Sequence, residues 1–359
     1  MKRIFHFFIT CILLSAMLFG CSQSDIPQVP QEPAENTPAP APVPEPPGTP
    51  DNTPQPSPEL PPEPVVTGEN LSIVTTIFPQ YDWVCQILGE KAEFKEITLL
   101  INNRIDLHSY QPSIRDITTV STCDLFIYIG GESDDWVEAV LEQAINPDMV
   151  VIKLMDVLGD RLLVDEEIDD GSHHHHHHHD DEYDEHVWLS LRNAVIFANI
   201  IANALADLDP ELADYYKENA DLYSKHLHDL DDEYTQVVSN ASRDTLLFAD
   251  RFPFRYLLHD YDLNFYAAFS GCSAETEASF KTITFLAKKL DELGLTSVMV
   301  TESANVSIAE TVIGNSSDKN QKILILDSMQ SSNENDRMHG VTYLSVMESN
   351  LNVLKEALN

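Results

Sequence analysis

The sequence predicts an α/β protein of two lobes, each a mostly parallel sheet flanked by helices, joined by a long interlobe helix, with a cleft between the lobes. Three observations predict it. Short apolar β-rich runs alternate with amphipathic helical stretches in both the first and the last third of the folded part, the pattern of parallel strands linked by helical crossovers. A stretch from Leu189 to about Val238 keeps helical periodicity with one break at Asp209-Pro210. Residues able to bind a ligand, His108, Asp250 and Asp327, lie in the stretches after strand ends, where a pair of α/β lobes puts its cleft.

In order, Leu71-Ser72-Ile73-Val74-Thr75-Thr76-Ile77 is a strand ending before Pro79, and Tyr81 to Leu88 carries helical spacing. Ala92 to Leu100 reads as a strand and Pro112 to Val120 as a helix. Asp124 to Ile129 is a short apolar strand closed by Gly130-Gly131; Trp136 to Ala144 is helical and Met149 to Leu154 a buried strand. In the long helical segment Pro210 fits the first turn of a restarted helix, with Asp209 as N-cap. The alternation then resumes: strands at Thr245 to Phe248, Asn264 to Phe269, Ser297 to Thr301 and Lys322 to Leu326. Helices fall at Pro253 to His259, Phe280 to Leu293, Ile308 to Ile313 and Thr342 to Leu358. Two such lobes put a ligand between the loops at the carboxyl ends of their strands.

Ahead of this lies a basic start, Met1-Lys2-Arg3, an apolar run from Ile4 to Leu18, and Leu18-Phe19-Gly20-Cys21. That order reads as a secretory signal, too short for a spanning helix. The cysteine after a small residue resembles a bacterial lipobox, which implies that Cys21 carries lipid. Residues 22–67, rich in Pro and Glu, cannot bury enough apolar surface to order themselves and read as a semi-rigid tether. The expected organisation is 1–21 signal peptide, 22–67 tether, 68–188 N-terminal lobe with a His-rich loop at 165–185, 189–240 linking helical segment and 241–359 C-terminal lobe.

With 59 acidic against 21 basic residues the formal charge is −38. No phosphate-neutralising surface exists, so nucleic acid is excluded as a partner, and cations are attracted. Cys85, Cys123 and Cys272 form no C-x-x-C pair, which argues against a thiolate zinc site. A Cys85–Cys123 disulfide and two small buried thiols are both compatible with the sequence.

His173, His174, His175, His176, His177, His178 and His179 run consecutively inside an acidic stretch, and His186 comes seven residues later. Neutral imidazole is the commonest protein ligand for borderline transition metals. Gly171-Ser172 looks like tag-vector sequence, but tags sit at termini, whereas this tract lies between two ordered-looking segments. Singly placed residues extend the signal: His108, after the strand ending near Leu100; His186, directly before the long helix; Asp250, after Thr245 to Phe248; and Asp327, after Lys322 to Leu326. Two imidazoles from one lobe and two carboxylates from the other would close a four-ligand shell and neutralise a divalent ion.

These segments resemble the zinc and manganese solute-binding lipoproteins of ABC importers, of the zinc-uptake type in cluster A-I. Asp106-Leu107-His108-Ser109-Tyr110-Gln111-Pro112 is similar to that family's D-P-H-x-Y-x-P segment. Glu185-His186-Val187-Trp188-Leu189-Ser190 is similar to its D-P-H-x-W-L-S segment, which a His-rich acidic loop often precedes. Phe254-Arg255-Tyr256-Leu257, Leu326-Asp327-Ser328-Met329 and the closing Tyr343 to Leu351 extend the match over Asn70 to Asn359. The resemblance implies His108, His186 and Asp327 as metal ligands and a third ligand at the position of Arg251. A guanidinium cannot ligate a cation, so Asp250 is the nearest substitute. Water, His259 or Glu275 are the alternatives, and Glu302 reads as a supporting residue.

The function implied is capture of extracytoplasmic Zn²⁺ by a monomer lipid-anchored to the outer face of the cell membrane, and delivery to an ABC permease. The His tract would be an accessory collecting site, or a solvated loop of incidental affinity. Mn²⁺ or Fe²⁺ is the alternative cargo, since oxygen-rich shells suit harder ions, and a surface adhesin or metal store without a permease is the alternative role. An enzyme is not expected: no H-E-x-x-H is present, and the ligand-bearing loops offer no nucleophile–base pair.

Overall fold

Each half of the folded chain builds its own four-stranded parallel sheet in the computed structural model, which describes residues 71–359 apart from 103–104, 166–182, 272, 274–276 and 332–333. Cys21, the tether, the seven-histidine tract, Cys272 and Glu275 lie outside the described residues. The first half runs β1 (Ser72–Thr75), α1 (Phe78–Leu88), β2 (Glu96–Leu99), α2 (Ile114–Thr122), β3 (Leu125–Tyr128), α3 (Trp136–Leu141), β4 (Val150–Lys153) and α4 (Leu154–Leu158). Its strand order is β2-β1-β3-β4. After α5 (Leu191–Leu208) and α6 (Ala213–Ser239) come β5 (Thr245–Phe252), α7 (Arg255–Asp260), β6 (Asn264–Ser270) and α8 (Phe280–Glu292). The chain ends through β7 (Ser297–Val300), α9 (Ser307–Asn315), β8 (Lys322–Ile325), α10 (Glu334–Met338) and α11 (Tyr343–Ala357). The second sheet is ordered β6-β5-β7-β8, the same winding as the first. Order reverses beside β1 and beside β5, so each lobe has a crevice at the carboxyl ends of its strands.

The sheets read in sequence as continuous apolar runs because both faces are covered. In β5, Leu246 and Phe248 join the larger core, while Leu247 and Ala249 turn to a second cluster with Leu286 and Leu290 of α8 and Val312 of α9. This is the two-residue alternation of a strand buried on both sides. Ser113, Ser190, Ser279 and Thr342 cap α2, α5, α8 and α11 by accepting backbone N–H bonds from Asp116, Asn193, Thr282 and Ser345, each cap contributing ~1 kcal/mol.

α5 is apolar and long enough to span a membrane by composition and length. Its apolar faces are instead packed against α1, α4 and α6. At the centre, the buried Trp83 of α1 lies 5.4 Å from Phe197 of α5 and 5.3 Å from Tyr343 of α11, ring centre to ring centre. Elements from the first lobe, the long helices and the last helix therefore share one core.

Local departures from the sequence reading have identifiable causes. Residues 89–94 form a 3₁₀ turn, so the strand expected from Ala92 begins at Glu96. Asp209 stands at the N-cap position before Pro210 as expected, but its side chain makes no capping hydrogen bond. Its carboxylate accepts from Lys95 Nζ at 3.0 Å and Tyr216 Oη at 2.9 Å, and this buried tie outweighs capping. The short helices α4 and α10 were not legible as periodic patterns because each spans five residues. Cys85 and Cys123 are separate thiols, not a disulfide. Burial pushes them up to about 11 and about 12, which keeps both protonated at neutral pH.

Asp82 of α1 reaches across to α11, accepting from Tyr343 N at 3.0 Å and from Gln86 Nε2 at 3.2 Å. Burial lifts its carboxyl to about 6, against the lowering effect of those two hydrogen bonds. A carboxyl whose folded value is raised contributes stability below its unfolded value near 3.8, and that contribution is lost as pH rises through about 6. Replacing Asp82 by Asn removes this dependence while keeping an acceptor for α11. Urea midpoints of D82N are therefore expected to fall less between pH 4 and pH 7 than those of the parent, a difference of about 1–3 kcal/mol.

Candidate metal centre

His108 sits in a 3₁₀ turn (Leu107–Ser109) whose preceding residue, Asp106, accepts from His108 N at 3.0 Å. The turn leaves the carboxyl end of β2 and holds the ring against Ser133, which lies beyond β3. His108 Nδ1 lies 3.0 Å from Glu185 Oε1 and 2.9 Å from Ser133 Oγ, and Ser133 Oγ donates to the same Glu185 oxygen at 2.6 Å. His186 is fully buried, and Asp184 Oδ1 accepts from both its backbone N at 2.8 Å and its Nδ1 at 3.1 Å. In the neutral rings a carboxylate on each Nδ1 holds the proton there and leaves Nε2 as the acceptor, the arrangement typical of metal-ligating histidines.

The two Nε2 atoms are 3.4 Å apart. Two nitrogens bound to one tetrahedral zinc at ~2.0–2.1 Å stand about 3.3–3.4 Å apart, so the pair already has the spacing of one edge of a zinc shell. Burial alone would push the Glu185 carboxyl up. Hydrogen bonds from His108 and Ser133 and the neighbouring His186 ring outweigh it and hold Glu185 down at about 2. Burial disfavours charge on His186, but Asp184 beside it and the further carboxylates Glu185 and Asp165 raise its pKa. The two rings thus rest on a bed of negative charge that compensates an incoming cation.

Of the four ligands expected from sequence, the structure brings His108 and His186 together and places Asp250 and Asp327 elsewhere. β5 carries a bulge: Phe248 pairs with Ala267 and Arg251 with Phe269, leaving two residues, Ala249 and Asp250, against one. The extra residue re-aims the side chains beyond it. Asp250 turns to β7, accepting from Thr301 N at 2.9 Å and Thr301 Oγ1 at 2.6 Å. Arg251 reaches the first lobe instead, donating from Nη2 to Asp106 Oδ2 at 2.7 Å, and so braces the turn that carries His108.

Asp327 turns back on its own loop and accepts from Met329 N at 2.8 Å. It lines a separate cavity of about 40 Å³ with Phe78, Asp336 and Arg337. Burial and the charge of Glu302 raise its carboxyl to about 7, opposed by the Met329 hydrogen bond. Glu302 is committed to Ser328, accepting from its N at 2.9 Å and its Oγ at 3.0 Å. His259, at the end of α7, is exposed. Among the described residues no group of three or more His, Cys, Asp or Glu side chains could hold a metal ion.

The third side chain at the pair is one the sequence reading missed. Gln330 Nε2 lies 2.6 Å from His186 Nε2 and 3.1 Å from His108 Nε2, and the residue is buried. A neutral amide three residues after the expected Asp carries no sequence signal as a ligand. Two glycines are equally necessary. A methyl group on Gly271 would stand 2.7 Å from Cε1 and 3.1 Å from Nδ1 of His186, and one on Gly131 would collide with Glu185.

The strand pair at the loop base, Val164 with Tyr183, closes just before this centre. Tyr256 of α7 accepts from Leu163 N at 3.1 Å and donates to Asp184 O at 2.9 Å, while Arg255 pairs with Asp165 at 3.0 Å and Asp184 at 3.6 Å. The second lobe therefore grips the base of the His-rich loop and the residue that orients His186.

The family model described as zinc-uptake complex component A, periplasmic, matches residues 73–357. The chain is 31% identical over 288 residues to the zinc-binding lipoprotein AdcA of Streptococcus pneumoniae, covering 80% of this chain and 55% of that protein. It is 28% identical over 291 residues to the high-affinity zinc uptake system protein ZnuA of Bacillus subtilis, covering 81% and 88%. The chain thus spans about half the length of the streptococcal relatives it matches. The solved Zn(II)-bound ZnuA-like domain of S. pneumoniae AdcA superposes with a TM-score of 0.63 at 26% identity, covering 80% of this chain and 99% of that domain. The lipoprotein YcdH of B. subtilis, whose structure is described as metal-dependent, gives 0.66 at 25%, covering 80% and 99%.

Gly271→Ala is expected to keep the fold and weaken zinc binding by ~10–100-fold, the range for disturbed outer contacts, read by competition with a chelating indicator. Asp250→Ala separates a structural carboxylate from a ligand. It is expected to lower stability by about 1–3 kcal/mol through the orphaned Thr301 donors, with zinc affinity of the folded protein unchanged in a calorimetric titration.

Proposed function

We propose that the chain, which belongs to the zinc-uptake component A family, captures Zn²⁺ outside the cytoplasm and delivers it to an ABC permease. One observation carries the reading: a fully buried imidazole and a partly buried one, each with Nδ1 tied to a carboxylate, present Nε2 acceptors 3.4 Å apart at the meeting of two parallel-sheet lobes. The ligands are His108, His186 and the amide of Gln330, with water completing the shell. Imidazole nitrogen favours zinc over the harder Mn²⁺, and the names of the relatives point to the same ion. The lipobox cysteine Cys21 and the lipoprotein relatives support an anchor on the outer face of the cell membrane, and the protein works as a monomer.

The proposed task is binding and release, with no chemistry on the cargo. A zinc hydrolase keeps a general base beside an open metal position. Here the two carboxylates closest to the imidazoles, Asp184 and Glu185, are committed to Nδ1 atoms and face away from the ion. The seven-histidine tract is the accessory collector, feeding a site two lobes deep.

Elemental analysis of the purified protein is expected to find one tightly held zinc that persists when His173 to His179 are all replaced by Ser. Replacing His108 or His186 by Ala is expected to weaken that tight step by more than the ~10–100-fold of an outer-contact change. Tight binding unchanged in both variants would overturn the assignment.

A further inference from the structure

Both imidazoles at the centre are acceptors on the side that faces the cargo. Their Nδ1–H bonds point to Glu185 and Asp184, so each Nε2 carries a lone pair into a buried space shared with the other. Two converging lone pairs 3.4 Å apart, that of His186 fully buried and that of His108 partly so, call for a donor between them when no cation is present. An ionised carboxylate has no proton to give, whereas a primary amide has two N–H donors on one nitrogen and a carbonyl acceptor on the other arm. Gln330 places that nitrogen 2.6 Å from one lone pair and 3.1 Å from the other.

We infer that Gln330 is a placeholder: its amide nitrogen stands in for the cation in the metal-free protein and is displaced when Zn²⁺ arrives. A half-turn of the amide about its last side-chain bond then presents Oε1 to the ion. This inference rests on the imidazole pair being the zinc site, and it adds what decides the affinity of that site. The same side chain satisfies the pair in both states, and it does so as a neutral group. Metal-free protein is stabilised, the bound ion gains no charge from this ligand, and release becomes easier than from a carboxylate at the same place.

The surrounding loop is built to hold that one side chain. Met329 immediately before it is buried and has φ of 57°, a left-handed backbone that a long side chain adopts only under constraint. The constraint is visible on every side. Asp327 N donates to Asn350 Oδ1 at 2.9 Å, Asn350 Nδ2 donates to Asp327 O at 2.8 Å, Ser328 N donates to Glu302 at 2.9 Å, and Trp188 Nε1 donates to Ser328 O at 2.9 Å. The twist at Met329 sends Asp327 to its own cavity and Gln330 to the imidazoles.

The test compares the full-length parent with Q330E, Q330M and H108A by zinc titration against a chelating indicator, and follows side-chain amide signals of the metal-free parent by ¹H–¹⁵N NMR. A Gln330 amide pair, assigned by its loss in Q330M, is expected to shift on adding one equivalent of Zn²⁺. Q330E is expected to bind the tight zinc at least tenfold more strongly, because it loses the metal-free cap and gains an anionic ligand, while its metal-free form melts lower than the parent. A Gln330 amide signal that zinc leaves unmoved, or Q330E binding no tighter than the parent, would overturn the placeholder. If either result is accompanied by loss of the tight step in H108A, the imidazole site stands and only the role of Gln330 falls. If H108A binds as the parent does, the zinc-site reading itself fails. The NMR arm needs no folded variant beyond the assignment, so a misfolded Q330E still leaves a decisive result.

Discussion

Two imidazole rings set edge to face, one fully buried and one partly so, with their Nε2 atoms aimed at one point are the demand to which the rest of the structure answers. A buried acceptor without a partner is costly, and two side by side repel. The protein meets this on three fronts. Asp184 and Glu185 hold the far nitrogens as donors, glycines at 131 and 271 leave room for the ring and the carboxylate to come so close, and a buried amide closes the near side. Each answer is drawn from a different element: the turn after β2, the turn after β3, the approach to α5, the end of β6 and the loop after β8. Together they draw on both halves of the chain, so the centre exists only when both sheets are in place.

That dependence explains what the sequence could reveal. The strands were legible because β1, β3 and β7 and the first part of β5 are mostly buried and read as short, largely apolar runs, whereas β5 continues past the expected Phe248 to Phe252 through Asp250 and Arg251. His108 and His186, singled out in sequence by their place beside strand and helix ends, come together, and each is set by an acidic residue two positions earlier, Asp106 and Asp184, whose carboxylate accepts the histidine's own backbone N–H. Sequence neighbours made those sites. Asp250 and Asp327 are turned to other partners by surroundings that the sequence does not show: a bulge in β5 for the one, and Asn350 with Met329 for the other. Gln330 was invisible for a different reason. An amide acquires meaning as a ligand or cap only from the groups opposite it, and those come from residues 144 and 222 positions away.

The shared core limits how the lobes can move. Trp83 packs at once on α5 and α11, Asp82 caps α11 from the other half, and Tyr343 donates to Trp188 O at 2.7 Å one turn from His186. Opening the cleft as a hinge would pull apart rings that are fully buried, a cost of several kcal/mol for aromatic side chains alone. Rearrangement at the scale of a side chain and its loop is the cheaper route, and it places the burden of binding and release on the segments after β2 and β8 rather than on the helices that join the lobes.

The bulge in β5 has a consequence in heredity. Side chains along a strand alternate between faces, so one inserted residue exchanges every later position between them. In this chain it turns an acidic side chain onto a neighbouring strand and sends an arginine across the cleft to Asp106. Loss of a single codon at that point would swap the two roles with no other change in the lobe. A centre of this architecture can therefore pass between a cleft braced by a fixed internal cation and one that offers another ligand to its cargo through one deletion, leaving in place the imidazole pair and the carboxylates on its Nδ1 atoms.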